Sequence, residues 1–107
     1  MDENHFFVDR RNHTIRLSKE RWNHIETNHP ELQESFALIE ETLVNPDSIT
    51  LSKSDSEIEL YYKWYKQTEV GSKYLCVVVK KSDKDNFIVT TYFTNKIKTG
   101  VELWKKK

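Results

Sequence analysis

The sequence predicts an α+β domain in which two N-terminal helices pack on one face of a four-stranded antiparallel β-meander. Three observations predict it. Apolar residues recur at helical spacing between Ser18 and Leu43, and from Ile49 onward the period changes to two. The links Gln67–Ser72 and Lys81–Asn86 are short and polar, as hairpin connections are. The chain of 107 residues is long enough for one domain and too short for two unstapled cores.

Taken in order, residues 5–17 alternate loosely, with Phe6 and Val8, then Ile15 and Leu17, around Arg10-Arg11-Asn12. That pattern predicts a short hairpin or an extended arm within residues 1–17. Ser18 suits the N-cap of a helix running to about Asn28, with Trp22 and Ile25 on its inner face. His29-Pro30 breaks it, because the residue before a proline is pushed out of the helical region. Pro30 then fits the first turn of a second helix, followed by Glu31 where the helix dipole favours a carboxylate. Leu32, Phe36, Ile39 and Leu43 form its apolar stripe, while Glu34, Glu40 and Glu41 face water. Asn45-Pro46-Asp47 stops it. Ile49 and Leu51 mark a short strand, and Ile58, Leu60, Tyr62 and Trp64 a longer one. Leu75–Lys80 is an almost continuous apolar run, as in a central strand covered on both faces. Phe87–Thr94 is dense in β-branched and aromatic residues. With both helices on one face, the other face is left for function.

Composition narrows the classes further. Charged residues make up 32% of the chain, but aromatic residues make up 12%, more than a disordered chain carries. The 17 Lys+Arg and 17 Asp+Glu cancel in total but not along the chain. Residues 1–60 hold six Lys/Arg against thirteen Asp/Glu, and residues 61–107 hold eleven against four. A basic surface facing a polyanion is one outcome; interleaved charges that cancel in space are the other. One cysteine, Cys76, excludes an internal disulfide framework, and its apolar flanks mark a buried small hydrophobe. No apolar run approaches the ~20 residues of a membrane span, and the acidic start is unlike a signal peptide. A cytoplasmic chain without membrane partners is therefore expected. Four scattered His and one Cys lack zinc-ligand spacing, and Gly71 and Gly100 do not make a phosphate loop, so neither metal nor cofactor is expected.

A resemblance adds to this reading. Its residues are Arg21-Trp22-Asn23-His24-Ile25, His29-Pro30-Glu31-Leu32, Thr42-Leu43, Pro46-Asp47, Tyr61-Tyr62-Lys63 and Tyr74–Lys80. It continues through Thr90-Thr91-Tyr92-Phe93-Thr94 and Lys98-Thr99-Gly100 to Trp104. In these segments the chain resembles the phage-associated branch of the barnase–EndoU–colicin–RelE-like (BECR) nucleases. The resemblance implies a single BECR-like domain over residues 1–107, with the helices-then-sheet order of RelE-like members. It also implies a metal-independent endoribonuclease, often a toxin.

Such chemistry needs a base for the ribose 2′-OH, an acid for the leaving 5′-oxygen, and cations or donors for the phosphorane. His29, ahead of a helix N-terminus that favours phosphate, is the expected acid or base; a junction residue before Pro30 is the alternative. Lys63 is the expected cation. Thr90, Tyr92 and Thr94 share one face of the last strand and offer hydroxyl donors, though Thr and Tyr are also simply good strand formers. Expected substrate contacts are Arg21, His24, Tyr61, Lys80 and Lys96, with Tyr61 or Tyr65 stacking a base and the cations meeting phosphate. Arg21, Lys80 and Lys96 equally suit solvated surface positions, and His24 a packing or surface role. The expected partners are RNA, with tRNA among the candidates, and an acidic antitoxin or immunity protein. The alternative function is a catalytically silent nucleic-acid- or protein-binding module of the same fold.

Overall fold

A computed structural model describes residues 3–107. The first strands, β1 (Asn4–Val8) and β2 (Thr14–Ser18), pair antiparallel as a hairpin. Phe7, Ile15 and Leu17 point into the core, whereas Phe6 and Val8 face water. Helix α1 (Lys19–Asn28) follows at once. Its cap is the Ser18 hydroxyl, which accepts the Arg21 N–H at 3.0 Å, and its inner face is Trp22 and Ile25, as expected.

The second helix departs from the sequence reading. Pro30–Leu32 forms only a single 3-10 turn, and helix α2 spans Phe36–Val44. Ser35, at φ −114° and ψ 17°, breaks the helical path. Gln33-Glu34-Ser35 offers no apolar face to hold a continuous helix, and serine favours caps over interiors. Leu32, Ile39 and Leu43 nevertheless reach the same core, with Phe36 packed against it.

Four strands then run as an antiparallel meander: β3 (Ser48–Leu51), β4 (Ile58–Tyr65), β5 (Lys73–Lys80) and β6 (Phe87–Thr94). The expected architecture ended there; the chain does not. β7 (Val101–Lys105) adds to the free edge of β3, and β2 lies parallel to β6 through Arg16↔Phe87. The result is a seven-stranded mixed sheet in the order β1-β2-β6-β5-β4-β3-β7. This overturns the four-stranded antiparallel architecture: the hairpin that residues 5–17 allowed does form, and it joins the sheet through β2 while β7 extends the opposite edge. The added strands are five residues each; β2 alternates, with Ile15 and Leu17 buried, but β7 is mostly exposed and carries no strong alternating pattern. Gly100 admits β7 to the edge, since a Cβ there would run into the Leu51 carbonyl.

β5 is central, as its apolar run predicts. Leu75, Val77 and Val79 face the helices with Ile39 and Leu43, and Cys76 and Val78 face the other way with Leu60, Tyr62 and Tyr92. A bulge at Val89 shifts the β5–β6 register between Val78 and Val79. It sends both Ile88 and Thr91 to the helix side and leaves Thr90 and Tyr92 on the open face. Burial pushes the Cys76 thiol up to about 11. Native protein at neutral pH is therefore expected to take up no iodoacetamide at Cys76, with stoichiometric labelling after urea unfolding, measured by mass spectrometry.

Candidate active site

The turn between β1 and β2 folds over the helix-side face of the sheet. Asp9 builds it: its carboxylate accepts the Arg11 N–H at 3.0 Å and the His13 N–H at 2.7 Å. Asn12 takes a left-handed backbone, φ 65°, which asparagine tolerates. The Arg10 N–H reaches the Leu43 carbonyl of α2 at 2.9 Å, which ties the tip to the helix layer.

Beneath the tip lies β4. Period two places Glu59, Tyr61, Lys63 and Tyr65 on its helix side. The Tyr61 hydroxyl, fully buried, donates to Asp9 and accepts from Arg11 at 3.1 Å. Arg11 also pairs with Glu59. Lys81, just past β5, brings its ammonium 3.6 Å from both Asp9 and Glu59 and 3.1 Å from His13 Nδ1. Six ionisable side chains from three segments thus converge, and their exposure is graded. Asp9 is shut off at 0%, Glu59 and Lys81 are at 13% and 16%, and the His13 side chain lies at the mouth at 45%.

The electrostatics follow from burial. Burial by itself would raise the Asp9 carboxyl, but the Tyr61 hydroxyl, the His13 N–H and the Lys81 ammonium more than offset it, so it lies below the ordinary range. Burial pushes the Tyr61 phenol far up, and the Asp9 charge adds to that. Burial lowers Lys81, against the pull of Glu59 and Asp9. An ammonium held below its ordinary range gives up a proton more readily. A depressed carboxyl stabilises the fold above its unfolded pKa, about 3.9, and that stability disappears as pH falls through the folded value. Urea titrations of Asp9→Asn should therefore show a deficit at pH 7 that shrinks below about pH 4. A deficit constant across that range would remove the charge of Asp9 as its cause.

The sequence-predicted residues are divided among other places. Tyr61 belongs to this cluster but is sealed beneath it. Tyr65 is inward too, its hydroxyl donating to the Leu38 carbonyl at 3.1 Å, with burial pushing it up to about 12. Thr90 and Tyr92 do come together, with Ser52, Lys98 and Thr99, in a cleft of about 530 Å³ on the open face. Thr94 instead closes a turn, donating to the Lys96 carbonyl at 3.2 Å and accepting the Lys96 N–H at 3.3 Å. Lys80 pairs with Asp55 at 3.0 Å and Glu57 at 3.2 Å. Arg21 and His24 share a shallow hollow with Arg16 along α1, and His24 is bonded to Asn28 at 3.0 Å. His29 caps α1 with its ring 3.6 Å from Glu31, in the helix layer. Lys63 lines a hollow with Arg10 and Trp104. The charge asymmetry of the two halves is partly cancelled in space: Lys80 and Lys81 pair with Asp55, Glu59 and Asp9, and Arg16 with Asp85.

Sequence reasoning missed Asp9, Arg11, His13, Glu59 and Lys81. The available signal was weak: an Asp-x-x-Asn-His turn, and the β4 parity that joins Glu59 to Tyr61. Among the described residues no three His, Cys, Asp or Glu side chains are grouped so as to hold a metal, and no helix is long and apolar enough to cross a membrane.

Residues 1–107 match the family of phage-Barnase-EndoU-ColicinE5/D-RelE like nucleases designated PBECR2, and the chain belongs to that nuclease family. No curated protein and no solved structure matches the chain.

Proposed function

We propose that this nuclease is a metal-independent endoribonuclease whose proton transfers take place at the tip of the first hairpin. The observation that carries the reading is the convergence of His13, Lys81, Arg11 and Glu59 around the buried Asp9–Tyr61 pair. His13, at the mouth, takes the proton of the ribose 2′-OH as that oxygen attacks the adjacent phosphorus. Lys81 gives a proton to the departing 5′-oxygen, and Arg11 meets the charge of the phosphorane. The products are a 2′,3′-cyclic phosphate and a 5′-hydroxyl. Glu59 and Asp9 are positioning residues: they hold the two cations and the turn. A purely structural pin is the weaker account, because a buried ion cluster contributes little net stability.

The substrate class is RNA, with tRNA included, and the cellular setting is a cytoplasmic toxin restrained by an acidic antitoxin. The hydroxyls of Thr90 and Tyr92 beside Lys98 supply further backbone contacts on the open face. Incubation with total RNA in EDTA tests the reading. Discrete fragments ending in 2′,3′-cyclic phosphate are expected, together with resistance of a substrate carrying 2′-deoxyribose at the scissile position. A mobility shift without fragments would instead make the chain a binding module. Cleavage lost in EDTA, or cutting of the deoxy substrate, would overturn the mechanism.

A further inference from the structure

Arg10 and Arg11 are neighbours on the hairpin tip but serve different places. Arg11 enters the ionic cluster, while the Arg10 guanidinium lies 5.3 Å from the centre of the Trp104 ring on β7. Arg10, Trp104, Lys63, Lys105, Lys106 and Lys107 line a hollow of about 530 Å³, and Glu41 brings the one acidic side chain among the described residues of its wall. The pairing of cations differs sharply between the two places. Arg11 and Lys81 are paired with carboxylates, whereas none of the five cations of the hollow makes an ion pair among the described residues. Like charges gathered without partners repel one another, and a bound polyanion relieves that repulsion. Trp104 is partly buried against the core and brings its indole ring to the wall beside them.

We infer that this hollow is a subsite for a nucleotide about two steps from the scissile bond, its phosphate held by Arg10, Lys63 and Lys105 and its base stacked on Trp104. The inference rests on the endoribonuclease reading and specifies how that site takes its substrate. Spacing supports it. Glu59 and Lys63 lie on the same face of β4 four residues apart, about 13 Å along the strand, roughly two nucleotide steps. A single strand crossing the cluster is thus carried into the hollow. Stacking plus backbone cations bind single strands with little regard to sequence, so the subsite favours unpaired RNA. An acidic protein segment would satisfy the cations but gain less from the indole face.

The test uses a hexanucleotide methylated at every 2′-oxygen, which binds without being cut. Its affinity is read by anisotropy at several salt concentrations, on wild type and on Arg10→Gln/Lys105→Gln. The double variant is expected to bind about tenfold more weakly, with a log–log salt slope shallower by about 1.4, two contacts at ~0.7 each for single strands. Tryptophan quenching by the oligonucleotide is expected in wild type and lost in Trp104→Phe, which keeps Trp22 and Trp64. Unchanged affinity and slope in the double variant, or full quenching in Trp104→Phe, would overturn the subsite. So would a poly-glutamate peptide of equal charge that binds as tightly as the oligonucleotide. Wild-type cleavage of RNA is scored separately. Fragments with an unaltered double variant would refute the subsite alone; binding lost in the variant without fragments from wild type would refute the cleavage reading alone.

Discussion

His13→Gln is expected to lower RNA cleavage by about 10²–10⁴-fold, the ordinary worth of a positioned proton transfer. Glutamine keeps a hydrogen-bonding side chain over Lys81 but cannot accept and release a proton. Because the imidazole is 45% exposed, the fold loses little by the change. Lys81→Arg should be nearly as damaging. It preserves the positive charge between Asp9 and Glu59 but removes an ammonium able to donate, since a guanidinium stays protonated. The alkaline limb of the wild-type pH–rate profile should fall below the ordinary lysine value of ~10.4, because burial lowers Lys81. His29→Ala serves as the comparison. Its ring sits against Glu31 at the end of α1, and under this reading cleavage by the variant stays within a few-fold of wild type. Full activity in folded His13→Gln, or its loss in His29→Ala, would move the proton transfer to the helix junction that the sequence favoured.

The middle of the sheet was legible because local patterns governed it. β4, β5 and β6 are eight residues each, and their links are short enough that the partner of each strand is its neighbour in sequence. The edges were not. β2 meets β6 parallel through one register pair separated by most of the chain, and no window of sequence encodes that pairing. β7 joins β3 with a register irregularity between Ile49 and Thr50, and its Val101 is exposed. The inward face of β4 was inverted for a related reason. Tyr61 and Tyr65 look amphipathic enough to face a substrate, and Leu60 and Tyr62 look apolar enough for the core. The chain buries both sets, because the 95–100 segment covers the open face, where the Lys98 N–H donates to the Tyr62 hydroxyl at 3.0 Å.

The candidate site was illegible for a topological reason. Asp9, Arg11 and His13 lie about fifty residues from Glu59 and about seventy from Lys81, and only the folding of the hairpin tip over β4 unites them. His29, by contrast, stands out in sequence because Pro30 follows it, and that prominence reflects a helix boundary.

Strand β1 of the first hairpin is held against the helices by a group of rings, and truncating Phe36 at its centre is the largest stability effect expected. Phe36, at the start of α2, packs edge-on against Trp22 of α1 at 5.1 Å and against His5 at 5.1 Å, with Phe7 of β1 at 5.8 Å. One side chain thereby joins the first hairpin to both helices. Phe36→Ala is expected to cost about 3 kcal/mol, the lower end of the range for buried phenylalanine because Phe36 is only partly enclosed. That is a large share of the ~5–15 kcal/mol available to a whole domain. Urea unfolding followed by far-UV circular dichroism should show a lower midpoint, since the cavity weakens the fold. A loss below about 1 kcal/mol would mean that the surrounding rings collapse into the space. The same variant connects stability to chemistry. If Phe36 anchors β1, the variant still folded at low urea should lose cleavage before it loses far-UV circular dichroism, because the tip carrying Arg11 and His13 is freed first. Coincident loss of cleavage and helix signal would show that hairpin and helices unfold as one unit, and that the active arrangement is as stable as the core beneath it.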